Sequence, residues 1–311
     1  MPEVLSTRLF PKGEGADAVR ITGVAARCDW VIASDRRPPF VTLHRRTAQP
    51  RTVFLSLRFP LHALRMLADE LLPRIAGPFV VVSGSEDATV PHQVDRRWAP
   101  FDDEMRGAIA RILAHPGLRR WHAENLDDGS DPRFSPLPLG RVFPDGDVQP
   151  LEPHAPATGT RPLRAQHAQR IRAGAQWDAR RTVADLCRGP WRSWTTLLEE
   201  EVDEAGFIAE VRRHAFVLCV EGGGLDPSPK AWQAIEHGAI PIIRRTALAP
   251  AYGRLPVAMV PGWQADAIDA ATLAGWRSRY APAHDDPPRR ADVVERLTLD
   301  YWWRRIEADL A

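Results

Sequence analysis

Lysine is nearly missing from this chain. Of its 41 basic side chains only Lys12 and Lys230 are lysines, and all the others are arginines. A lysine kept at a structured position therefore stands out. Cysteine is also scarce: Cys28, Cys187 and Cys219 are scattered, odd in number and free of CxxC or Cys/His spacing, which indicates neither a disulfide framework nor a zinc site. Cys219 falls within an apolar run and reads as a small buried apolar residue. No stretch reaches the ~18 consecutive apolar residues of a membrane span. Neither charge sign dominates, and a formal net charge of +1 gives no broad field to gather nucleic acid or an anionic membrane. The opening Met1-Pro2-Glu3-Val4 lacks a secretory pattern, so the expectation is a cytoplasmic protein without a transmembrane segment or a nucleic-acid partner. No internal repeat is visible.

At 311 residues, 44% hydrophobic and 26% charged, the chain suits two globular domains, each able to bury a core. Residues 29 to 33 and 52 to 57 are strand-like, as is the run Phe79-Val80-Val81-Val82-Ser83. Between them Pro60 to Ile75 carries leucines at helical spacing up to Gly77-Pro78. Asp102 to Ala114 reads as a helix opening on acids, with a short strand at Arg119 to Ala123. Alternating strands and helices imply parallel strands with crossover helices. Proline, glycine and acids break the pattern over 144–162, the expected linker between a first lobe at 1–143 and a second at 163–288. The second lobe is expected to open on a helical stretch. Residues 290 to 311 read as one amphipathic helix, the closing element at 289–311.

The chemistry concentrates between Phe216 and Ile243. Residues 215 to 220 form an apolar run suited to a strand covered on both faces. Glu221 and the triplet Gly222-Gly223-Gly224 follow, and the glycines remove every Cβ that would hold a ligand off the main chain. After Leu225-Asp226-Pro227, Ser228-Pro229 reads as helix cap and first helical residue, and Gly238 falls where a left-handed C-terminal cap is wanted. Ile240-Pro241-Ile242-Ile243 is the next strand. Lys230 and Gln233 share a helix face. A helix start, bare N–H groups and one lysine aimed at one small volume suit a diphosphate.

This segment resembles the donor-domain signature of exostosin-like and ribitol xylosyltransferase-like glycosyltransferases, approximately F-V-x-S-P-E-G-N-G-x-D-x-x-R-x-W-E-A-L-x-x-G-x-I-P-I-V. Glu221, Gly222, Gly224, Asp226, Trp232, Ala234, Gly238, Ile240, Pro241 and Ile242 fall on matching places, and Lys230 stands where the signature has arginine. Leu255-Pro256-Val257 with Trp263, and Trp121 to Leu126 with Pro136 to Gly140, resemble flanking elements of the same family. Two departures stand out: one extra residue lies between Asp226 and Trp232, and Gln233 replaces a glutamate. The amide keeps hydrogen-bonding capacity but loses the charge-assisted strength of a carboxylate.

The resemblance implies an α/β protein of GT-B architecture, two Rossmann-like lobes facing a cleft, with a terminal helix that crosses back to the first lobe. It implies transfer of a sugar from a nucleotide sugar to a hydroxyl of a glycan or glycoconjugate, with no cofactor. The donor would be held by Glu221, Gly222, Gly223, Gly224, Asp226, Lys230 and Gln233, and by Arg180 or Arg181 near the start of the second lobe. The sequence shows no clear acidic metal pair, so no metal ligands are assigned and cationic side chains are expected to offset the leaving charge. A catalytic base is expected on the turn after strand 79 to 83, with Asp87 first and Glu86 and His92 behind it. A non-catalytic nucleotide-binding protein on the same scaffold and a sugar-nucleotide epimerase are the alternatives.

Overall fold

The structure is a computed structural model that describes residues 2–154, 157–168 and 170–311. The chain divides into two compact units. One comprises Pro2–Pro150, Gly224–Asp226 and Thr298–Ala311; the other comprises Leu151–Gly223 and Pro227–Leu297. Ala155 and Pro156, within the expected linker, lie outside the described residues. Both units are α/β with a largely or wholly parallel sheet, as the alternating pattern implies.

The first unit contains α1 (Gly23–Arg27), then β1 (Trp30–Arg36), β2 (Pro39–Arg45), β3 (Thr52–Ser56), α2 (Pro60–Arg65), β4 (Phe79–Gly84), α3 (Asp103–Ala114), β5 (Leu118–Ala123) and β6 (Phe134–Pro136). Its sheet order is β2-β1-β3-β4-β5-β6, with β2 antiparallel to β1 and the other pairs parallel. β3 and β4 are buried throughout, which explains their unbroken apolar sequences. β2 is half exposed, opens on proline and sits at the sheet edge. The helical run from Pro60 changes pitch. A π-turn spans Met66–Leu71 and a 3-10 turn Leu72–Arg74, because Pro73 has no N–H to continue the α pattern. Asp102 caps α3 by accepting from the Met105 N–H at 2.8 Å.

The second unit contains β7 (Ala165–His167), α4 (Asp178–Arg188), β8 (Thr195–Leu197), α5 (Glu204–Arg213), β9 (Phe216–Leu218), α6 (Pro229–Glu236), β10 (Ile240–Arg244), α7 (Ala249–Tyr252), β11 (Ala258–Val260), α8 (Ala270–Asp285) and α9 (Pro287–Glu295). It opens on a strand rather than the expected helical stretch. β7 is only three residues long and carries Gln166 and His167, so it lacks the apolar run that identifies a buried strand. All five strands are parallel, in the order β11-β10-β9-β7-β8. One face packs Val183 and Cys187 of α4 with Trp191, Trp194, Phe216, Leu218, Ile242, Trp263 and Leu273. On α6, Trp232 is buried, donates its indole N–H to the Leu297 carbonyl at 3.2 Å and meets Tyr252 edge-on.

The span 290 to 311 is two helices, not one. α9 ends at Glu295, and α10 (Leu299–Ala308) begins after Thr298, which has extended backbone and caps the Tyr301 N–H at 3.2 Å. The apolar spacing continues across this break because Leu297 and Leu299 are both buried. α10 belongs to the first unit and packs beside α1, with Arg27 paired to Asp300.

Candidate anion site at the switch point of the second sheet

β7 lies between β8 and β9, so the chain runs outward in one direction from β7 and then reverses to the other side. Open parallel sheets bind ligands in the crevice beyond the carboxyl ends of the strands at such a reversal. In this unit the crevice position belongs to the residues following β7 and β9.

The residues after β9 are held firmly. Glu221 is buried, pairs with the Arg244 guanidinium at the end of β10 and accepts the Trp263 indole N–H at 3.3 Å. Gly222 and Gly223 come next, and their N–H groups meet no acceptor among the described residues. Over Gly222 lies Arg180 of α4. A Cβ on Gly222 would stand 2.7 Å from Arg180 Cζ and 3.0 Å from the Trp177 ring, so close approach rather than backbone conformation requires glycine. Arg180 is itself buried, donates to the Arg170 carbonyl at 2.8 Å and stacks 4.6 Å from the centroid of Trp177. A planar guanidinium clamped in this way is a preorganised anion donor.

Lys230 enters from the first turn of α6, with Nζ 5.1 Å from the Phe207 ring centroid. Burial pushes its ammonium down to about 7, and the charges of Arg180 and Arg170 act in the same direction against Cys219 and Glu201. No carboxylate pairs with it among the described residues. His167, at the end of β7, is pushed down to about 3 by burial and then by Lys230 and Arg180, so its ring is neutral. Arg180 thus lies over Gly222, and the charges of Arg180 and Arg170 both reach Lys230, a cluster of cations next to two amides that meet no acceptor among the described residues.

The helix start contributes less than its sequence suggests. Ser228, at φ +79, accepts the Lys230 N–H at 3.3 Å, and the Ala231 N–H goes to the Ser228 carbonyl at 3.1 Å. Gly238, at φ +75, closes the helix, with the Ala239 N–H on the Ala234 carbonyl at 2.7 Å. On the Lys230 face Gln233 donates to Glu204 Oε1 at 2.8 Å. Arg181 closes the turn before α4, bonding Asp178 and the carbonyls of Arg172 (3.0 Å) and Gly174 (2.8 Å).

Gly224 and Asp226 belong to the first unit. Gly224, at φ +65, donates to Asp95 Oδ2 at 2.7 Å, and a Cβ there would stand 2.7 Å from Asn125 Cγ. Asn125 Oδ1 accepts the N–H groups of Leu225 (2.9 Å) and Asp226 (3.1 Å), while Asp226 accepts from Leu139 N at 3.1 Å. The structure therefore seats Gly222 beneath Arg180, whose charge reaches Lys230, while Glu221 is tied to Arg244 and Trp263, Gln233 to Glu204, and Gly224 and Asp226 to Asp95, Asn125 and Leu139.

The three expected bases differ sharply. Burial pushes the Asp87 carboxyl up, but Arg8 at 2.6 Å and Arg97 outweigh it and hold the group well below the usual carboxylate range. Glu86 pairs with Lys12 at 3.2 Å. His92 is exposed, with Nε2 3.2 Å from Asp128. Behind Asp87 lies fully buried Glu124, 2.6 Å from Arg8, bonded by Thr7 Oγ1 at 2.5 Å and by the Ser85 N–H at 3.0 Å. Burial pushes Glu124 up to about 7; Arg8 and Thr7 oppose this, while Asp226 and Asp87 add to it.

Sequence reasoning missed Arg170, His167, Trp177 and Arg244. Arg244 directly follows the Ile240–Ile243 strand and was open to detection as a cation at a strand end. His167 ends β7 and Arg170 and Trp177 follow it, and only the sheet order shows that this strand borders the site.

No protein-family profile matches the chain, and no curated protein sequence does. Among solved structures it is similar to Anabaena Alr3699/HepE in complex with UDP, at 10% identity and a TM-score of 0.48, covering 84% of this chain and 78% of that one. It is also similar to the spinosyn rhamnosyltransferase SpnG complexed with thymidine diphosphate, at 15% identity and 0.37, covering 83% and 73%. An α,α-trehalose-phosphate synthase (UDP-forming) from Burkholderia vietnamiensis is similar at 12% identity and 0.39, with 83% and 73% covered. Among the described residues no helix is long and apolar enough to cross a membrane.

Proposed function

We propose that the second unit holds the diphosphate of a nucleotide sugar and that the protein is a glycosyltransferase acting on a glycan or glycoconjugate hydroxyl. The observation that carries this reading is Gly222 beneath the clamped Arg180, with the Gly222 and Gly223 N–H groups meeting no acceptor among the described residues, and Lys230, on the first turn of α6, pairing with no carboxylate among them. Charge that develops on a departing nucleoside diphosphate is stabilised best by fixed cations and dipoles already in place, which these groups supply without a metal ion. The sequence resemblance over 214 to 263 supports the exostosin-like variety of this chemistry. Of the three candidate bases Asp87, Glu86 and His92, Asp87 is weakened by the two arginines that hold it.

The test follows from Lys230. A bound diphosphate favours its charged form, whereas in the free protein the group titrates near pH 7. Nucleoside diphosphate binding should take up about one proton near pH ~8, with the uptake replaced by release near pH ~6, where the terminal phosphate of the free ligand is itself partly protonated, and affinity should fall as pH rises above about 7. Titration calorimetry in two buffers of different ionisation enthalpy measures this for uridine, guanosine, cytidine and thymidine diphosphates. Binding without proton uptake at the higher pH would remove Lys230 from the site. The replacement of glutamate by Gln233 favours a second reading, a non-catalytic nucleotide binder, which shows the same titration but no turnover of any nucleotide sugar.

A further inference from the structure

The connection from β8 into α5 reads Glu199-Glu200-Glu201-Val202-Asp203-Glu204, the densest run of acids in the chain. Its carboxylates do not simply face water. Glu201 grips Arg170 with both oxygens, at 2.8 Å from Nε and 2.8 Å from Nη2. Glu199 grips Arg188, at the end of α4, in the same two-pronged way at 3.0 and 2.6 Å. Glu204 accepts the Gln233 amide at 2.8 Å, and Asp203 caps α5 through the Gly206 N–H at 2.7 Å. The run is thus pinned to three elements, and two of its anchors, Arg170 and Gln233, belong to the surroundings of Lys230. The charges of Arg170 and Glu201 both reach Lys230.

A two-oxygen carboxylate on a guanidinium has the geometry of a phosphate on a guanidinium. We propose that residues 199–204 form an acidic strap that competes with the incoming diphosphate, Glu201 holding Arg170 until a phosphate oxygen takes its place. This rests on the diphosphate reading of the same site. The pairs are suited to exchange: Arg170 and Glu201 are 53% and 61% exposed, and exposed ion pairs add little net stability. The strap lowers affinity for any anion that uses Arg170, because the ligand must outbid an internal carboxylate before it gains that guanidinium.

The test compares Glu201→Gln with Glu200→Gln in the full chain, using uridine diphosphate and inorganic pyrophosphate as probes. Both variants remove one negative charge, but Glu200 pairs with no described residue. Glu201→Gln is expected to bind both probes three- to tenfold more tightly than the unaltered protein, with Glu200→Gln changed less than twofold. Hydrogen exchange across 198 to 203 should speed up when the unaltered protein is saturated. Unchanged or weaker binding by Glu201→Gln, or an equal gain in Glu200→Gln, would overturn the strap while leaving the diphosphate site standing. Binding by Glu201→Gln alone would support an inhibitory strap. No binding by any of the three proteins would overturn the site and the strap together.

Discussion

Lys230→Ala raises the dissociation constant for a nucleoside diphosphate at least tenfold, about 1.4 kcal/mol. The ammonium has no carboxylate partner among the described residues, and burial together with Arg180 and Arg170 makes its charged form costly until an anion arrives. Its substitution therefore removes an interaction that the free protein has not already satisfied. Folding should not suffer. A lysine whose folded value is lowered from 10.5 to about 7 is favoured as the neutral form, so its contribution to stability improves as pH rises from about 7 towards 10.5. Below that window it is charged in both states and the full burial penalty applies. Relative to the parent, the alanine variant should melt higher at pH ~6 than at pH ~9. Calorimetric titration with a thermal melt at the two pH values separates weakened binding from unfolding, and unchanged affinity would remove Lys230 from the ligand.

Arg8→Met destabilises the first unit by about 3–5 kcal/mol. Arg8 is buried and neutralises two carboxylates at 2.6 Å, one of them Glu124, which is 1% exposed. Methionine keeps much of the volume and leaves a carboxylate without a counter-charge in a site that already pushes it up to about 7. The loss is expected to shrink in acid, where Glu124 can take a proton. Urea denaturation of the two proteins at pH ~5 and ~8 measures this, with the larger gap at the higher pH. A gap below about 1 kcal/mol at both would show the pair to be energetically idle.

The segment from Phe216 to Ile243 was legible because each feature has a local cause. Three glycines, Ser228-Pro229 and Gly238 mark the turn and both helix ends in one dimension, and the structure places them so. What escaped depends on partners far away in sequence. β7 has three residues, two of them polar, and becomes a strand only through β8 and β9. The break at Thr298 hides within continuous apolar spacing, since both flanking leucines are buried. Arg180 was named from its position alone, but its seat on Gly222 and its bond to the Arg170 carbonyl are tertiary facts. The three glycines looked alike in sequence, yet Gly224 is taken by Asp95 and Asn125 while the Gly222 and Gly223 N–H groups meet no acceptor among the described residues.

A crystal structure with uridine diphosphate tests the central claim most directly. The account predicts diphosphate oxygens on the Gly222 and Gly223 N–H groups, with Arg180 and Lys230 in contact with the same phosphates. A nucleotide bound away from the ends of β7 and β9, or phosphates that leave both amides and Lys230 untouched, would contradict it.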